Sequence, residues 1–391
     1  MNSVLCCGFE CGQLGSVGGA VGQHWATDCA ISTTTVRTGN RSLRVNPSGS
    51  SKTANVNITV PTVSVGRFYI RFATLPSANT YLFGQSLIGG LAFNQSDTKL
   101  YCGTGSNPAS FGASGVSVTT GVWYRIDFKF DMTAGVKAFD AKVDGTDLGQ
   151  TTSVSIAAAS LAFLCNNITA DYFIDDFVLS GTAADYPIGA GYVNHFVPTS
   201  DGTHNVASAA DFRRGDTTTD ITNATTTAYQ LVDEVPLDDT TPDTDDHIRI
   251  VAPPNVTDYV ECVYGPASGI STPTVAPRGV EVIAEFFAAG TGASDEIFKL
   301  NDNGTVDTVY DGTAVAGTTT GIYKRKHYAL APTGGAWTLS GAGNFNNIRF
   351  RYGFATDANP DKSLMCTMIE AEFAEVAAVP VKARSWGTII S

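Results

Sequence analysis

The side chains best suited to chemistry in this chain are its histidines, carboxylates and cysteines. The histidines stand alone in the sequence, and no Gly-x-Ser-x-Gly elbow offers an activated serine; they are His24, His195, His204, His247 and His327. An isolated histidine has no neighbouring carboxylate or nucleophile to complete a catalytic relay. We therefore assign no catalytic residue and expect the protein not to be an enzyme.

The carboxylates fall in three places. Asp127 and Asp131 lie on one face of an alternating stretch, and no partner elsewhere in the chain makes them catalytic. Asp175 and Asp176 are adjacent, and neighbours on a strand point to opposite faces, so they cannot share a substrate. An acidic run lacks the Gly and the closing Glu of an EF-hand, and we interpret it as a solvated loop; it comprises Asp233, Glu234, Asp238, Asp239, Asp243, Asp245 and Asp246.

The chain has 8 cysteines, three of them near the N-terminus. Zinc ligation was weighed for Cys6, Cys7, Cys11, His24 and Cys29, but no Cys-x-x-Cys or paired His gives them the spacing of a tetrahedral site. The first residues lack the basic and apolar regions of a secretion signal, so we expect synthesis in a reducing cytoplasm and free, buried thiols. No metal ligand and no cofactor-binding residue is assigned.

The elements that must position these groups are short strands. In residues 123–131 the side chains of Tyr124, Ile126, Phe128 and Phe130 alternate with polar ones, which predicts a strand with one buried face. Asp144-Gly145 follows a second alternating run and predicts a two-residue hairpin turn. Similar runs recur about every ten residues, a spacing typical of sandwiches and barrels.

Composition limits the class of protein. The net charge is -13, and 40 Gly, 16 Pro and 16% charged residues make a turn-rich chain. Such acidity disfavours nucleic acid as a partner. No apolar run reaches the roughly 20 residues of a membrane-spanning helix, so we expect no membrane insertion.

The length of 391 residues suits two domains with full cores. The predicted fold class is all-β, with two tandem antiparallel β-sandwich (jelly-roll) domains and a short C-terminal arm. The predicted boundaries are residues 1–181 for the first sandwich, 182–191 for a Gly- and Ala-rich linker, 192–378 for the second sandwich and 379–391 for an arm that docks on a neighbouring subunit.

Several motifs resemble a known family. They are Phe9-Glu10-x-Gly12, Thr38-Gly39-x-x-Ser42-Leu43-Arg44-Val45, Gly121-x-Trp123-Tyr124-Arg125-Ile126, Val143-Asp144-Gly145 and Ile174-Asp175-Asp176-Phe177. Together they resemble the concanavalin-like or laminin-G-like jelly rolls of bacteriophage virion proteins. More weakly, residues 229–236 and Tyr264-Gly265 are similar to domains that follow such jelly rolls in phage tail, neck or head-surface proteins.

The resemblance implies a structural role. We expect a non-enzymatic virion protein made in the host bacterial cytoplasm, a fibre, neck or tail, or capsid-decoration component that contacts copies of itself and other virion proteins. Similar jelly rolls in carbohydrate-binding modules often hold a structural calcium between the first and last strands, which makes Glu10 and Asp175 candidate ligands.

Two alternatives stay open. The first is a glycan-binding module for host recognition on the virion surface, because this fold also serves that purpose. Tyr81, Tyr101 and Phe111 could stack on sugar rings, but each is interpreted as a core residue and none is assigned to a site. The second is a polysaccharide-degrading enzyme of concanavalin-like fold, disfavoured because no Glu-x-Asp-x-x-Glu strand is present.

Overall fold

A computed structural model gives the conformation of most of the chain. It describes residues 3–10, 12, 25–56, 58, 60–85, 89–105, 107–133, 137–152, 161–207, 211–233, 246–251, 258–288, 296–301, 311–315, 322–354 and 362–375. The predicted C-terminal arm at 379–391 lies outside these residues.

Strands dominate the described residues, together with three short 3-10 turns at Ala183–Asp185, Ala228–Leu231 and Phe345–Asn347. The strands are β1 (Ser3–Cys7), β2 (Trp25–Thr27), β3 (Ala30–Ser32), β4 (Ser42–Val45), β5 (Lys52–Val56), β6 (Val63–Thr74), β7 (Thr80–Gln85), β8 (Gly89–Asn94), β9 (Lys99–Thr104), β10 (Ser110–Phe111), β11 (Val116–Ser117), β12 (Trp123–Asp131), β13 (Ala138–Val143), β14 (Thr146–Thr151), β15 (Ala162–Cys165), β16 (Asp171–Ser180), β17 (Gly191–Asp201), β18 (Phe212–Arg214), β19 (Ile248–Ile250), β20 (Tyr259–Pro266), β21 (Gly279–Ala288), β22 (Glu296–Asn301), β23 (Asp311–Val315), β24 (Ile322–Tyr328), β25 (Arg349–Phe354) and β26 (Lys362–Ala374).

The first sixteen strands form an antiparallel sandwich, which we call the N-terminal sandwich. Sheet I has the order β14-β13-β12-β6-β16-β4-β3, with β1 also paired to β16, and sheet II has the order β10-β9-β8-β7-β15-β5-β2, with β11 paired to β9. One apolar core with residues from both sheets lies between them. The predicted all-β fold class is confirmed.

Strand β12 has the predicted buried face. Ile126, Phe128 and Phe130 are fully buried, and Tyr124 is half-buried against the same core. The ring of Phe128 lies 4.6 Å from that of Phe83 in sheet II, measured between centroids. Alternation along β12 therefore places every second side chain between the two sheets.

The predicted hairpin after β13 is also present. Asp144 and Gly145 have φ values of 49° and 86°, and they connect β13 to β14 in antiparallel pairing. Both positive φ angles match a type I′ turn, whose twist suits paired strands. Gly145 adopts this conformation without the steric cost that other residues incur.

The remaining strands form a single antiparallel sheet, sheet III, with the order β18-β19-β26-β17-β20-β25-β22-β23 and with β21 between β26 and β24. The ring centroid of Phe286 in β21 lies 6.2 Å from that of Tyr352 in β25. Four strand steps separate β21 from β25, which is about 19 Å in a flat sheet. Sheet III therefore curls over its own core, so the second sandwich is one folded sheet.

Strand pairing changes between the end of β16 at Ser180 and the start of β17 at Gly191. This change falls within the predicted linker, and the domain boundaries at 181 and 191 remain predictions. Among the residues described, no helix has the length and apolar character that crossing a bilayer requires.

Candidate functional site

The loop at residues 37–41 lies over both carboxylates of the predicted calcium site. The backbone N–H of Arg37 donates to Asp175 Oδ2 at 2.8 Å, and that of Asn40 donates to Glu10 Oε1 at 2.9 Å. Gly39 between them has a φ of +65°, and a Cβ at this position would overlap Glu10 Oε1. Glu10 and Asp175 therefore lie close together, as the sequence predicted, at a junction between the start of the chain, this loop and β16.

The same junction does not fit calcium as it is built. Calcium takes about six to eight oxygen ligands, whereas this loop presents N–H donors to both carboxylates. Burial raises the pKa of Glu10 to about 8, and burial and the adjacent Asp176 carboxylate hold the pKa of Asp175 well above its usual range. In this arrangement the two carboxyl groups are satisfied by backbone N–H donors of the loop.

The prediction that Asp175 and Asp176 point to opposite faces is wrong. Asp176 has a φ of 53°, and the pairing of β16 with β6 shifts register between Asp175 and Val178. Because of this bulge, both carboxylates reach the same loop: Asp175 accepts from the Arg37 N–H, while Asp176 accepts from Arg37 Nη1 and from Thr38 Oγ1, each at 2.6 Å. They hold a loop in place.

The outer face of sheet I packs on the outer face of sheet III, and we call the polar side chains between them the interface layer. In sheet III, His327 lies opposite Glu281, Glu281 opposite Glu370, and Glu370 opposite His195. These four side chains form one row across β24, β21, β26 and β17. Residues 3–10 run along the row, because Ser3 contacts His327 at one end and Glu10 contacts Glu370 and His195 at the other.

A fully buried ion pair joins the two faces. Arg67 Nη1 in β6 donates to Glu372 Oε1 in β26 at 2.9 Å, and both side chains are inaccessible to solvent. Arg278 donates to the same carboxylate through Nε at 2.7 Å. Removing one member of such a pair leaves a buried charge, which costs about 3–5 kcal/mol. The Arg67–Glu372 pair therefore connects β6 of sheet I to β26 of sheet III.

Glu10 and His195 meet inside this layer, with Glu10 Oε2 3.2 Å from His195 Nδ1. Burial, together with the charge of Arg41, lowers the pKa of His195 to about 4, while burial raises that of Glu10 to about 8. At neutral pH the contact is therefore between a neutral carboxyl group and a neutral imidazole. In this contact His195 Nδ1 has no hydrogen-bond partner among the described residues.

The other end of the row has the connectivity of a hydrolase relay. Ser3 Oγ lies 2.8 Å from His327 Nε2, and His327 Nδ1 lies 2.9 Å from Glu281 Oε2. Ser3 is only 3% exposed, and a Cβ on Gly279 would lie 2.5 Å from its Oγ. The hydroxyl therefore packs against backbone, where a substrate has no room to approach.

The structure does not bring the candidate zinc ligands Cys6 and Cys7 to one site. Cys6 packs in an apolar patch of the interface, whereas Cys7 packs in the core of the N-terminal sandwich. Cys11 and His24 lie outside the described residues. The seven described cysteines form no disulfide, and all except Cys29 are buried, as expected.

The remaining candidates have structural surroundings. Asp127 is buried and accepts from Gly189 N and Arg125 Nε. Tyr81 is buried, as interpreted, whereas Tyr101 and Phe111 are half-buried against each other. In the acidic run only Asp233 and Asp246 fall in the described part of the chain.

A polar cleft of about 630 Å³ opens at one end of the N-terminal sandwich, between the loops that follow β4, β6 and β15. Its lining comprises Asn46, Ser48, Gly49, Thr74, Ser77, Asn167, Ile168, Thr169, Ala170 and Asp171. Sequence reasoning missed this cleft, because its members come from separate loops. The only local signal was the clustering of Asn, Ser and Thr in those loops.

The walls of the cleft are held by hydrogen bonds. Arg44 binds Asp171 in a bidentate manner, with Nε to Oδ1 at 2.9 Å and Nη2 to Oδ2 at 2.8 Å. The loops of Ser77 and Thr169 exchange two hydrogen bonds, Ser77 N to Thr169 O at 2.9 Å and Thr169 N to Ser77 Oγ at 3.2 Å. The polar groups are therefore positioned before any ligand arrives.

Comparison with known proteins gives similarities only at the level of the fold. No family model and no curated protein matches the chain. One similar solved structure is the cellulose induced protein Cip1, which has 16% identity over 46% of this chain and 97% of its own, with a TM-score of 0.35. Another is domain 4 of AbnA, a GH43 extracellular arabinanase from Geobacillus stearothermophilus, in complex with arabinotriose. It has 16% identity over 46% of this chain and 91% of its own, with a TM-score of 0.34. The tandem CBM22-1–CBM22-2 domain of Paenibacillus barcinonensis Xyn10C aligns over 96% of this chain and 98% of its own, with 12% identity and a TM-score of 0.26. At these scores the similarities carry no functional argument.

Proposed function

We propose that the protein binds a glycan, and that the polar cleft of the N-terminal sandwich is the binding site. The cleft's volume of about 630 Å³ falls within the range of small-molecule sites, roughly 300–1,000 Å³. This cleft is the observation that carries the proposal.

The chemistry of the lining suits sugar hydroxyl groups. Each hydroxyl both donates and accepts hydrogen bonds, and the amides of Asn46 and Asn167 and the hydroxyls of Ser48, Ser77 and Thr169 do the same. Asp171 is neutralised by Arg44, so the cleft has no strong local charge. These features favour a neutral saccharide chain over a charged ligand.

The test is glycan-array screening of the full chain, followed by titration calorimetry with the best binder. Replacing both Asn46 and Asn167 by Ala should abolish binding, because it removes two amides from two of the loops that line the cleft. Gln150→Ala, which removes an exposed amide on edge strand β14, is the matched control and should bind normally. An array without any bound glycan, or equal loss in the control, would refute the proposal.

We propose binding without turnover. In the described residues, the one Ser-His-Glu arrangement that we identify holds its serine packed against backbone. Release of reducing sugar ends from a bacterial polysaccharide by the purified protein would contradict the proposal of binding without turnover.

A second candidate is the role implied by the family resemblance, a structural component of a phage virion that carries the glycan site on its surface. The fully buried Arg67–Glu372 pair favours it, because a rigid connection between the two faces suits a protein that must keep its shape in a particle. Deletion of residues 379–391, followed by mass measurement and particle composition, tests assembly through the proposed arm. Unchanged oligomeric state and incorporation would contradict that role for the arm.

A further inference from the structure

One group of side chains in the interface layer has the composition of a metal site. Cys6, Glu281 and His327 each offer one ligand atom, and these atoms all lie within 4.8 Å of one another. In a tetrahedral zinc site, bond lengths of about 2.0–2.3 Å place neighbouring ligand atoms roughly 3.3–3.8 Å apart. Small side-chain movements would therefore bring the three atoms to ligating distance.

A bulge in β1 is what makes the grouping possible. The pairing of β1 with β16 shifts register between Ser3 and Leu5. In a regular strand, Ser3 and Cys6 would point to opposite faces, since their separation is odd. With the bulge, Ser3 contacts His327, and Cys6 faces Glu281 in the same layer.

Ser3 also prepares His327 for ligation. A histidine that binds a metal through one ring nitrogen usually donates its other N–H to an oxygen, and this contact orients the ring. His327 Nε2 lies 2.8 Å from Ser3 Oγ, while Nδ1 faces Glu281 Oε2 at 2.9 Å. When the Nε2–H of His327 is donated to Ser3 Oγ, the Nδ1 lone pair is available on the side of the carboxylate.

A further carboxylate lies beside the three side chains. Glu370 on β26 is directly opposite Glu281 on β21, and the guanidinium of Arg325 lies 3.9 Å from Glu370 Oε2. The proposed ligand set therefore lies in a part of the layer that contains charged side chains of both signs. A divalent ion bound by the Cys6 sulfur would be held by a thiolate, and the thiol proton would be released to water.

We propose that Cys6, Glu281 and His327 bind a divalent transition-metal ion, with zinc as the best match. Sulfur, imidazole and carboxylate ligands together suit zinc better than calcium or magnesium. Three protein ligands leave a fourth position for water. Because β1 belongs to sheet I and β21 and β24 belong to sheet III, the ion would join the two faces.

The proposed site adjoins an edge of sheet III. Within the described residues β24 pairs with β21 alone, and the side chain of His327 on β24 keeps 8% of its surface exposed. Of the three proposed ligands His327 is the one in contact with solvent, since Cys6 and Glu281 are fully buried. Binding displaces the Cys6 thiol proton, so the affinity should rise with pH.

The experiment uses the untagged full chain, stripped with a chelator, dialysed and titrated with cobalt(II) as a spectroscopic substitute for zinc. We expect one equivalent to bind with a thiolate-to-cobalt charge-transfer band, and zinc to remove that band by displacement. Cys6→Ala should lose the band. His327→Gln, which keeps a donor near Ser3, should weaken cobalt binding roughly tenfold or more.

The matched control is Cys102→Ala, which removes a buried thiol from the core of the N-terminal sandwich and should keep the band. Far-ultraviolet circular dichroism checks folding, and Glu281→Gln replaces Cys6→Ala if the latter fails to fold, with an expected loss of affinity of roughly tenfold or more. A wild-type chain without the band at saturating cobalt would overturn the proposal. So would a band that survives Cys6→Ala, an affinity unchanged in folded Glu281→Gln, or a band that Cys102→Ala also abolishes.

Discussion

Replacing Glu10 by Gln tests whether its carboxyl group, which lies beside His195 in the interface layer, carries a proton in the native state. A glutamine amide has the shape of a protonated carboxyl group. Its oxygen can accept from the backbone N–H of Asn40 and Arg41, as Glu10 Oε1 does, while its nitrogen takes the place of Oε2 beside His195 Nδ1 and loses the Oε2 contact with the Asn40 N–H at 3.0 Å. The variant therefore keeps the Oε1 hydrogen bonds and the shape of the carboxyl group, and it removes the ability to ionise.

The expected difference in unfolding free energy follows from the pKa of Glu10, which is about 8 in the native state against an ordinary value of 4.5. The unfolded chain loses this proton at a lower pH than the native chain does. The stability from Glu10 is therefore complete below about pH 4.5 and is lost as the pH rises towards about 8. Each pH unit in that window corresponds to about 1.4 kcal/mol, so the variant should gain about 3 kcal/mol over wild type between about pH 5 and pH 7.

The assay is urea unfolding of both proteins at several pH values, followed by tryptophan fluorescence. His195 has a lowered pKa, so its own contribution falls as the pH drops from about 6.5 to about 4. This trend with pH is opposite in sign to the one expected from Glu10. Glu375→Gln, which alters an exposed carboxylate paired with Arg37, is the control and should show no such trend. A difference for Glu10→Gln that is flat or falls with pH would refute a protonated Glu10 and favour an ionised carboxylate.

Three further changes test the interface layer, the loop at residues 37–41 and the core of the N-terminal sandwich. Arg67→Met should cost about 3–5 kcal/mol in urea unfolding, because it leaves its buried carboxylate partner with less compensation; a loss under about 1 kcal/mol would contradict the importance of the pair. Gly39→Ala should lower the melting temperature more than Gly49→Ala, since both have positive φ but only position 39 lacks room for a Cβ; equal melting temperatures would contradict this. Phe83→Ala should cost about 3–5 kcal/mol in calorimetry because its ring packs between both sheets, whereas Val122→Ala at a 46% exposed position should change little, and similar losses would be the contrary result.

Local patterns predicted the N-terminal sandwich well. The face of β12 follows from alternation, and the β13–β14 turn follows from the tolerance of Asp144 and Gly145 for positive φ. Both depend on neighbours in sequence, so the sequence contains the necessary information. The bulge at Asp176 was missed because a regular pleat was assumed.

The interface layer could not be predicted by the same reasoning. Glu281, Glu370 and Glu372 alternate with apolar residues, a pattern typical of strands with one solvated face. They are buried because sheet I covers them, and the partner of Glu372 is Arg67, 305 residues away. A pairing over that distance depends on how two units pack, which local periodicity does not encode.

Contacts across the interface layer limit how this gene can change by recombination. A crossover in the segment between Ser180 and Gly191 would exchange whole sheets and leave each strand's sequence intact. It would also separate Arg67 from Glu372 and Glu10 from His195, and each unmatched charge or buried polar group would cost several kcal/mol. The two halves should therefore be inherited together, and viable chimeras should carry compensating changes on both sides of the layer.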